Sequence, residues 1–395
     1  MSNNLAQHFL LREDVTFLNH GSFGACPRPV FAVYQGWQLE LERQPVAFLG
    51  RDLSERMRAP RVALAPELGT RADNIVGLTN ATEGLNIVAQ SLELREGDEI
   101  LTTDHEYSAL EKTWTYVARR SGAKIVTVKV PLPLVAEEDF VEAMLAGFTD
   151  RTRVLFLSHI TSPTALVFPI ERLIQIARER GIVTVIDGAH TPGHIPLALD
   201  AMGVDFYSGN CHKWLMTPKG SAFLYARPEM QPLLNPLVIS HGWTADNKEP
   251  GSKGPFGNTP FIDSLEMQGT RDPAAWLAVP AALDFRKEHG WAGVAADCRR
   301  LAQETAARVA ELTGLEPLST PEFCAPQMVA MPVPETDPTK LHDDLLDRYG
   351  IEIPVFKWLD RTIVRLSVQG YNSRAQMDLL IEALGTLLAL GGKAA

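Results

Sequence analysis

From Asn74 to Tyr225 the chain alternates short apolar runs with segments of helical periodicity, and this alternation limits the fold more than any other feature. The runs IVGL, EILTT, KIVTV, VLFLSHI and IVTVID are separated by helical patterns: TEGLNIVAQSL, Leu110 to Arg119, Glu138 to Leu145 and Ile170 to Glu179. A strand wetted on one face alternates apolar and polar residues, whereas these runs are apolar almost throughout. Strands of that kind are covered by helices on both faces, which predicts an α/β domain with a mostly parallel sheet. Two further apolar strands, around Val204, Phe206 and Tyr207 and from Ala222 to Tyr225, end the series.

Before this region, FLNHGSFGACPRP mixes Gly, Pro and Asn around single apolar residues and reads as irregular. Helical periodicity runs from Val30 to Leu49 and from Leu53 to Leu68. The stretch 244–260, TADNKEPGSKGPFGNTP, reads as a long exposed loop of the kind found at functional sites or subunit contacts. Helical patterns follow over Pro273 to Glu288 and Val294 to Leu312. The tail reads as a strand (Gln327 to Met331), a helix (Lys340 to Tyr349), the strands IEIPV and TIVRLSV, and a helix from Ser373 to Leu390; GGKAA reads as a frayed end. The predicted organisation is an N-terminal segment 1–30, a large α/β domain 31–282 and a smaller α+β domain 283–395.

A formal net charge of −11 over 395 residues argues against nucleic acid or an anionic membrane surface as partner. There is no apolar run of about 18 residues and no basic stretch leading into a long apolar one at the N-terminus, so neither a membrane span nor a signal peptide is expected. Cys26, Cys211, Cys298 and Cys324 are widely spaced, the pattern of reduced thiols in the cytoplasm with no zinc site.

Several residues could carry chemistry. Lys213 is caught between the last two apolar strands, where an ammonium is costly to desolvate. It either snorkels from a strand end or is a low-pKa amine able to form a Schiff base with an aldehyde. TNATEGLNIV starts a helix whose N-terminus suits a phosphate, although Asn80 or Thr82 could equally act as a plain cap. Asp187 ends a strongly apolar strand, where α/β sheets bind ligands; it could hold a proton on a ring nitrogen, with His190 on a ring oxygen, or cap the next turn. His105 follows another strand and could lie on an aromatic cofactor, with Tyr107 as the alternative. Arg365 interrupts a strand of the smaller domain and needs an anion, either a substrate carboxylate or a structural acid. QGTRDP, ending at Pro273, is by itself a loop before a helix.

Asp187 followed by His212-Lys213 resembles the pyridoxal-phosphate enzymes of fold type I called class V aminotransferases, and Asn80-Ala81-Thr82, His105, GTRD at 269–272 and RLS at 365–367 fall in that family's order. FLNHGSFGACP, DHEYSA, SHITSPTALVFP and RLSVQGYNS are most similar to the isopenicillin N epimerase branch. The resemblance implies a large domain with a mostly parallel seven-stranded sheet between helices, plus the smaller α+β domain. It implies pyridoxal 5′-phosphate on Lys213, with Ala81, Thr82, Asn210 and His212 at its phosphate and Thr270 reaching the phosphate from the neighbouring subunit of a homodimer. His105 would stack on the ring, Asp187 would pair with the pyridine nitrogen, and His190 and Ser162 would lie by the ring hydroxyl. Arg365 would take the substrate α-carboxylate, with Asn19 and His20 nearby. Ser162 and Asn210 depart from the asparagine and serine of related cysteine desulfurases. The nucleophilic cysteine those enzymes carry before the arginine strand is missing from IPVFKWLDRT, which argues against sulfur transfer.

The expected substrate is a small amino acid or derivative, entering through an external aldimine with Lys213 removing the α-proton. Epimerisation is the leading outcome, with a second acid sought among His20, His105 and Tyr107. Transamination and C–S β-elimination are the alternatives, and a non-catalytic cofactor-binding regulator or scaffold is a reading of a different class.

Overall fold

The computed structural model describes residues 5–244 and 251–390. Part of the predicted 244–260 loop and the GGKAA end lie outside these residues. A two-residue strand, β1 (Thr16–Phe17), precedes the alternating region. That region supplies β2 (Ile75–Leu78), β3 (Glu99–Thr103), β4 (Lys124–Val128), β5 (Thr152–Ser158), β6 (Val183–Asp187), β7 (Phe206–Asn210) and β8 (Ala222–Ala226). They form one seven-stranded sheet in the order β2-β8-β7-β6-β5-β3-β4, in which only β8 runs against its neighbours.

The apolar runs fill both faces, as the pattern requires. Leu155, Leu157, Ile186 and Tyr207 enter one core, while Val154, Phe156, Val185 and Phe206 enter the other. β2, β7 and β8 are buried at every position, whereas β4, on the sheet edge, alternates half-buried and exposed residues. In the parallel register Ser158 pairs with Asp187, so these two polar residues lie side by side at the carboxyl ends of β5 and β6. Ligands bind outside that edge in open α/β sheets.

The C-terminal part contains β9 (Met328–Val333), β10 (Ile351–Glu352), β11 (Val355–Trp358) and β12 (Arg361–Ser367). β11, β12 and β9 form an antiparallel sheet that shares an apolar core with the Trp291–Thr313, Pro338–Tyr349 and Arg374–Leu387 helices. β1 pairs in parallel with β10, which stitches the N-terminal segment onto this part. Gly24 then passes so close to the sheet that a Cβ there would lie 1.9 Å from the His212 carbonyl oxygen. With φ at +71°, only glycine fits.

Prolines account for most departures from the sequence expectation. The helix expected over Val30 to Leu49 is Arg28–Arg43, stops ahead of Pro45, and is followed by a wide π turn over Ala47–Asp52. Pro273 to Glu288 is two helices, Ala274–Leu277 and Val279–Glu288, with the break beside Pro280. IEIPV is split at Ile353-Pro354 into β10 and β11, which belong to different sheets. The 244–260 loop runs into a Pro260–Glu266 helix capped by the Thr259 side chain. Position 283 falls inside the Val279–Glu288 helix, which packs on Leu53–Leu68, so the boundary set at 283 cuts through an element.

Candidate active site

A cleft of about 440 Å³ opens over the carboxyl ends of β5 to β7 and extends toward β12. Lys213, three residues beyond β7, is among the residues that line it. The side chain is half-buried in the cleft, with Nζ 3.0 Å from His190 Nε2. Burial first, and then the nearby Arg365 cation, lower its affinity for a proton, while Asp187 acts in the opposite direction. The snorkelling alternative therefore fails, because the lysine points into the protein. Asp187 ends β6 in the same cleft; Oδ1 accepts the Ala189 N–H at 2.8 Å, and burial raises its pKa. It thus caps the following turn and faces the cleft at once.

At the start of the Ala81–Ser91 helix the two sequence alternatives also coexist. Asn80 is the cap: its side chain accepts the Glu83 N–H at 2.8 Å, and Glu83 reaches back to the Thr79 N–H at 2.9 Å. The Ala81 N–H is bound by Asn210 Oδ1 at 2.8 Å, which leaves the Thr82 N–H without a protein acceptor among the described residues. His212 donates from Nδ1 to the Ser221 carbonyl at 3.1 Å, so its Nε2 is the nitrogen left for the cleft it lines. Burial pushes its pKa down to about 4.

Arg365 lies on β12 and lines the cleft. Nη1 donates to the Ser162 carbonyl and hydroxyl, Nη2 to Ser22 Oγ, and Nε has no partner. No carboxylate touches it among the described residues. Ser162 therefore belongs to the arginine's own setting. An arginine buried without an acid is costly and presents its charge to the cleft.

Four expected residues do not line the cleft. His105 is wholly buried under it: Nδ1 meets Thr164 Oγ1 at 2.7 Å and the ring packs on Trp358 and Phe168. The chain turns into the Ser108–Ser121 helix there, and Tyr107, its N-cap residue, lines the cleft. His20 is also buried, with Nδ1 on Tyr371 OH and Nε2 on the Lys213 carbonyl, each at 3.0 Å. Asn19 is tied to Glu352 at 3.0 Å. The short His20–Phe23 helix turns these two side chains inward and presents Gly21, Ser22 and Phe23 to the cleft. Thr270 is exposed on a loop away from the cleft of its own chain.

Ser22, Phe23, Ser158 and Lys219 also line the cleft and carried no sequence signal beyond neighbouring a motif. Behind Ser158 lies Glu106, which accepts the Ser158 N–H at 2.9 Å, the Ser158 hydroxyl at 2.6 Å and the Thr103 hydroxyl at 2.7 Å. Burial raises its pKa to about 8.

The family model described as aminotransferase class-V matches residues 32–380. An isopenicillin N epimerase from Amycolatopsis lactamdurans is 38% identical, covering 97% of this chain and 98% of the relative. A second, from Streptomyces clavuligerus, is 35% identical with 96% of each covered. A probable chloroplastic L-cysteine desulfhydrase from Arabidopsis thaliana is 29% identical over 96% of this chain and 84% of its own. Among solved structures, a cysteine desulfurase from Thermococcus onnurineus superposes with a TM-score of 0.82 at 21% identity, covering 98% of this chain and 100% of that one.

Proposed function

The chain belongs to the class V aminotransferase family and is a pyridoxal-phosphate-dependent enzyme, and on that premise we propose that it epimerises the α-carbon of an amino acid or amino-acid derivative. One observation carries the reading: a half-buried lysine disposed toward its neutral form shares a cleft with an arginine that no acid among the described residues contacts. A base for the α-proton and an anchor for the α-carboxylate are what chemistry at an amino acid's α-carbon requires.

The residues present fit the cofactor. Lys213 would hold it covalently, Asp187 its ring nitrogen, and the unclaimed Thr82 N–H with Asn210 and His212 its phosphate. Pyridoxal phosphate, once bound, supplies the electron sink that makes the α-proton removable. Arg365 would fix the substrate carboxylate by its planar fork, Lys213 would take the proton, and the Asp187 carboxylate would keep the ring nitrogen protonated. Of the three groups considered for returning the proton on the other face, only Tyr107 lines the cleft, and it takes that role.

The β-eliminating alternative is supported by the desulfhydrase relative. Persulfide transfer is not, since none of the four cysteines lines the cleft. We assign Thr270 to the cleft of a second copy, a reading supported by its exposure outside the lining of its own cleft and by exposed apolar residues such as Phe23, Ile239 and Trp243. Dilution to monomer then weakens cofactor binding. No described helix is long and apolar enough to cross a membrane, and the free cysteines support a cytoplasmic location.

The test is chiral product analysis after incubation with amino acids, cysteine derivatives and a 2-aminoadipyl tripeptide. A D-configured product supports epimerisation. A 2-oxo acid without cleavage, or a released β-fragment, replaces it with one of the alternatives.

A further inference from the structure

Lys213 sits at the end of a chain of hydrogen bonds that begins on Trp214. The indole Nε1–H can only donate, and it lies 3.4 Å from His190 Nδ1. Nδ1 is therefore the acceptor nitrogen. Burial, with Lys213 and Arg365 close by, keeps the imidazole neutral, so its single proton resides on Nε2. That nitrogen is the one 3.0 Å from Lys213 Nζ. A neutral amine meets an N–H with its lone pair. An ammonium has donors only and would set donor against donor. The opposite tautomer, with a bare Nε2, would instead accept from the ammonium and favour it.

The indole cannot turn away. Trp214 is fully buried, with His194 stacked on one side at 4.0 Å and His20 tilted against it at 5.0 Å. Its carbonyl accepts from Arg286 at 2.8 Å. His194 is itself fixed. The Gln327 N–H occupies its Nε2 at 2.9 Å, so its Nδ1–H donates to the His190 carbonyl at 3.0 Å. Both the donor and the backbone of the acceptor are thus held.

We propose that Trp214 is a positioning residue that fixes His190 as the Nε2–H tautomer, so that Lys213 faces a hydrogen-bond donor and is kept as the free, nucleophilic amine. Other groups act on the same amine. Asp187 favours the ammonium and Arg365 opposes it, His212 lies next in sequence, His194 and His20 flank the indole, and Lys219 lines the cleft. Trp214→Phe leaves all of them in place and removes only the donor. The inference rests on Lys213 as the reactive lysine, but its first readout involves no turnover.

The experiment is a long-range ¹H–¹⁵N correlation of the histidine rings in the full-length chain freed of cofactor, with His190→Gln to assign the signal. The expected result is a pyridine-type Nδ1 and a pyrrole-type Nε2 on His190. A pyrrole-type Nδ1 overturns the proposal, whether or not Trp214→Phe folds. In folded Trp214→Phe the fixed tautomer is lost, and the pH midpoint for capture of added pyridoxal phosphate, followed by absorbance, rises by about one unit, a tenfold smaller share of free amine below it. An unchanged midpoint in that variant also overturns it. A protein that fails every substrate offered yet shows the expected tautomer loses its proposed reaction and keeps this relay.

Discussion

Arg365 is held in place by Ser162, whose carbonyl and hydroxyl both accept from Nη1, and by no carboxylate among the described residues. The serine orients the guanidinium without neutralising it, so the charge stays available to a substrate. Arg365→Lys keeps the charge and loses the fork. A charge-assisted bond contributes about 1.5–3 kcal/mol, so kcat/KM falls roughly 10- to 100-fold, mostly through KM. Steady-state kinetics on the identified substrate measure this, and an unaltered KM would show that the carboxylate binds elsewhere.

His105 and Tyr107 are two residues apart yet differ in kind. His105 is core, packed between Phe168 and Trp358, and Tyr107 lines the cleft. His105→Ala therefore lowers the melting temperature, with a cost on the order of 2–4 kcal/mol for an aromatic-sized cavity, and leaves equilibrium cofactor affinity nearly unchanged. Tyr107→Ala does the reverse. Thermal denaturation and cofactor titration on the two variants separate the roles.

That pair marks what could be read in the chain and what could not. The parallel sheet was legible because its strands are apolar on both faces, and Asp187 and Lys213 were legible because charged groups at the ends of such strands are rare. Which way His20 or His105 points was not, since a turn of one residue moves a side chain from the cleft to the core. Ser22 and Ser158 carry no pattern of their own; only the fold brings them to Arg365 and Glu106. Proline breaks were visible as residues but not as the sheet switch at Ile353-Pro354. In the sequence, the link from Thr270 to a second copy comes from the resemblance alone.

Glu106 gives a pH-dependent prediction. Its pKa is raised by burial from 4.5 to about 8, so between those values the folded chain holds a proton that the unfolded chain has lost. Stability from this group is therefore lost as pH rises through that window, and the penalty is complete above about 8. Glu106→Gln loses less stability than wild type between pH 5 and pH 8, by on the order of 1–3 kcal/mol. Comparing the two by denaturant unfolding removes the contribution of Glu266, which titrates in the same direction. Parallel pH profiles would show that Glu106 is ionised in the folded protein.

Arg61 and Glu266 form a fully buried ion pair, and Glu266 also accepts the Gly77 N–H at 2.8 Å. The loop carrying Thr270 leaves from this point, with Arg271 bonded to the Gly77 and Glu266 carbonyls. Glu266→Ala strands a buried guanidinium and costs about 3–5 kcal/mol. Replacing both residues with methionine costs far less. Denaturant midpoints for the single and double variants test the difference.

The most direct measurement is α-proton exchange followed by ¹H NMR in D₂O, with the amino-acid and tripeptide panel, on wild type and Lys213→Ala. With Lys213 as the base, wild type exchanges the α-proton of at least one compound. The variant, still folded by circular dichroism, does so at least about 100-fold more slowly. Exchange that survives in Lys213→Ala at the wild-type rate would contradict the assignment of the base, and with it the reading of the cleft.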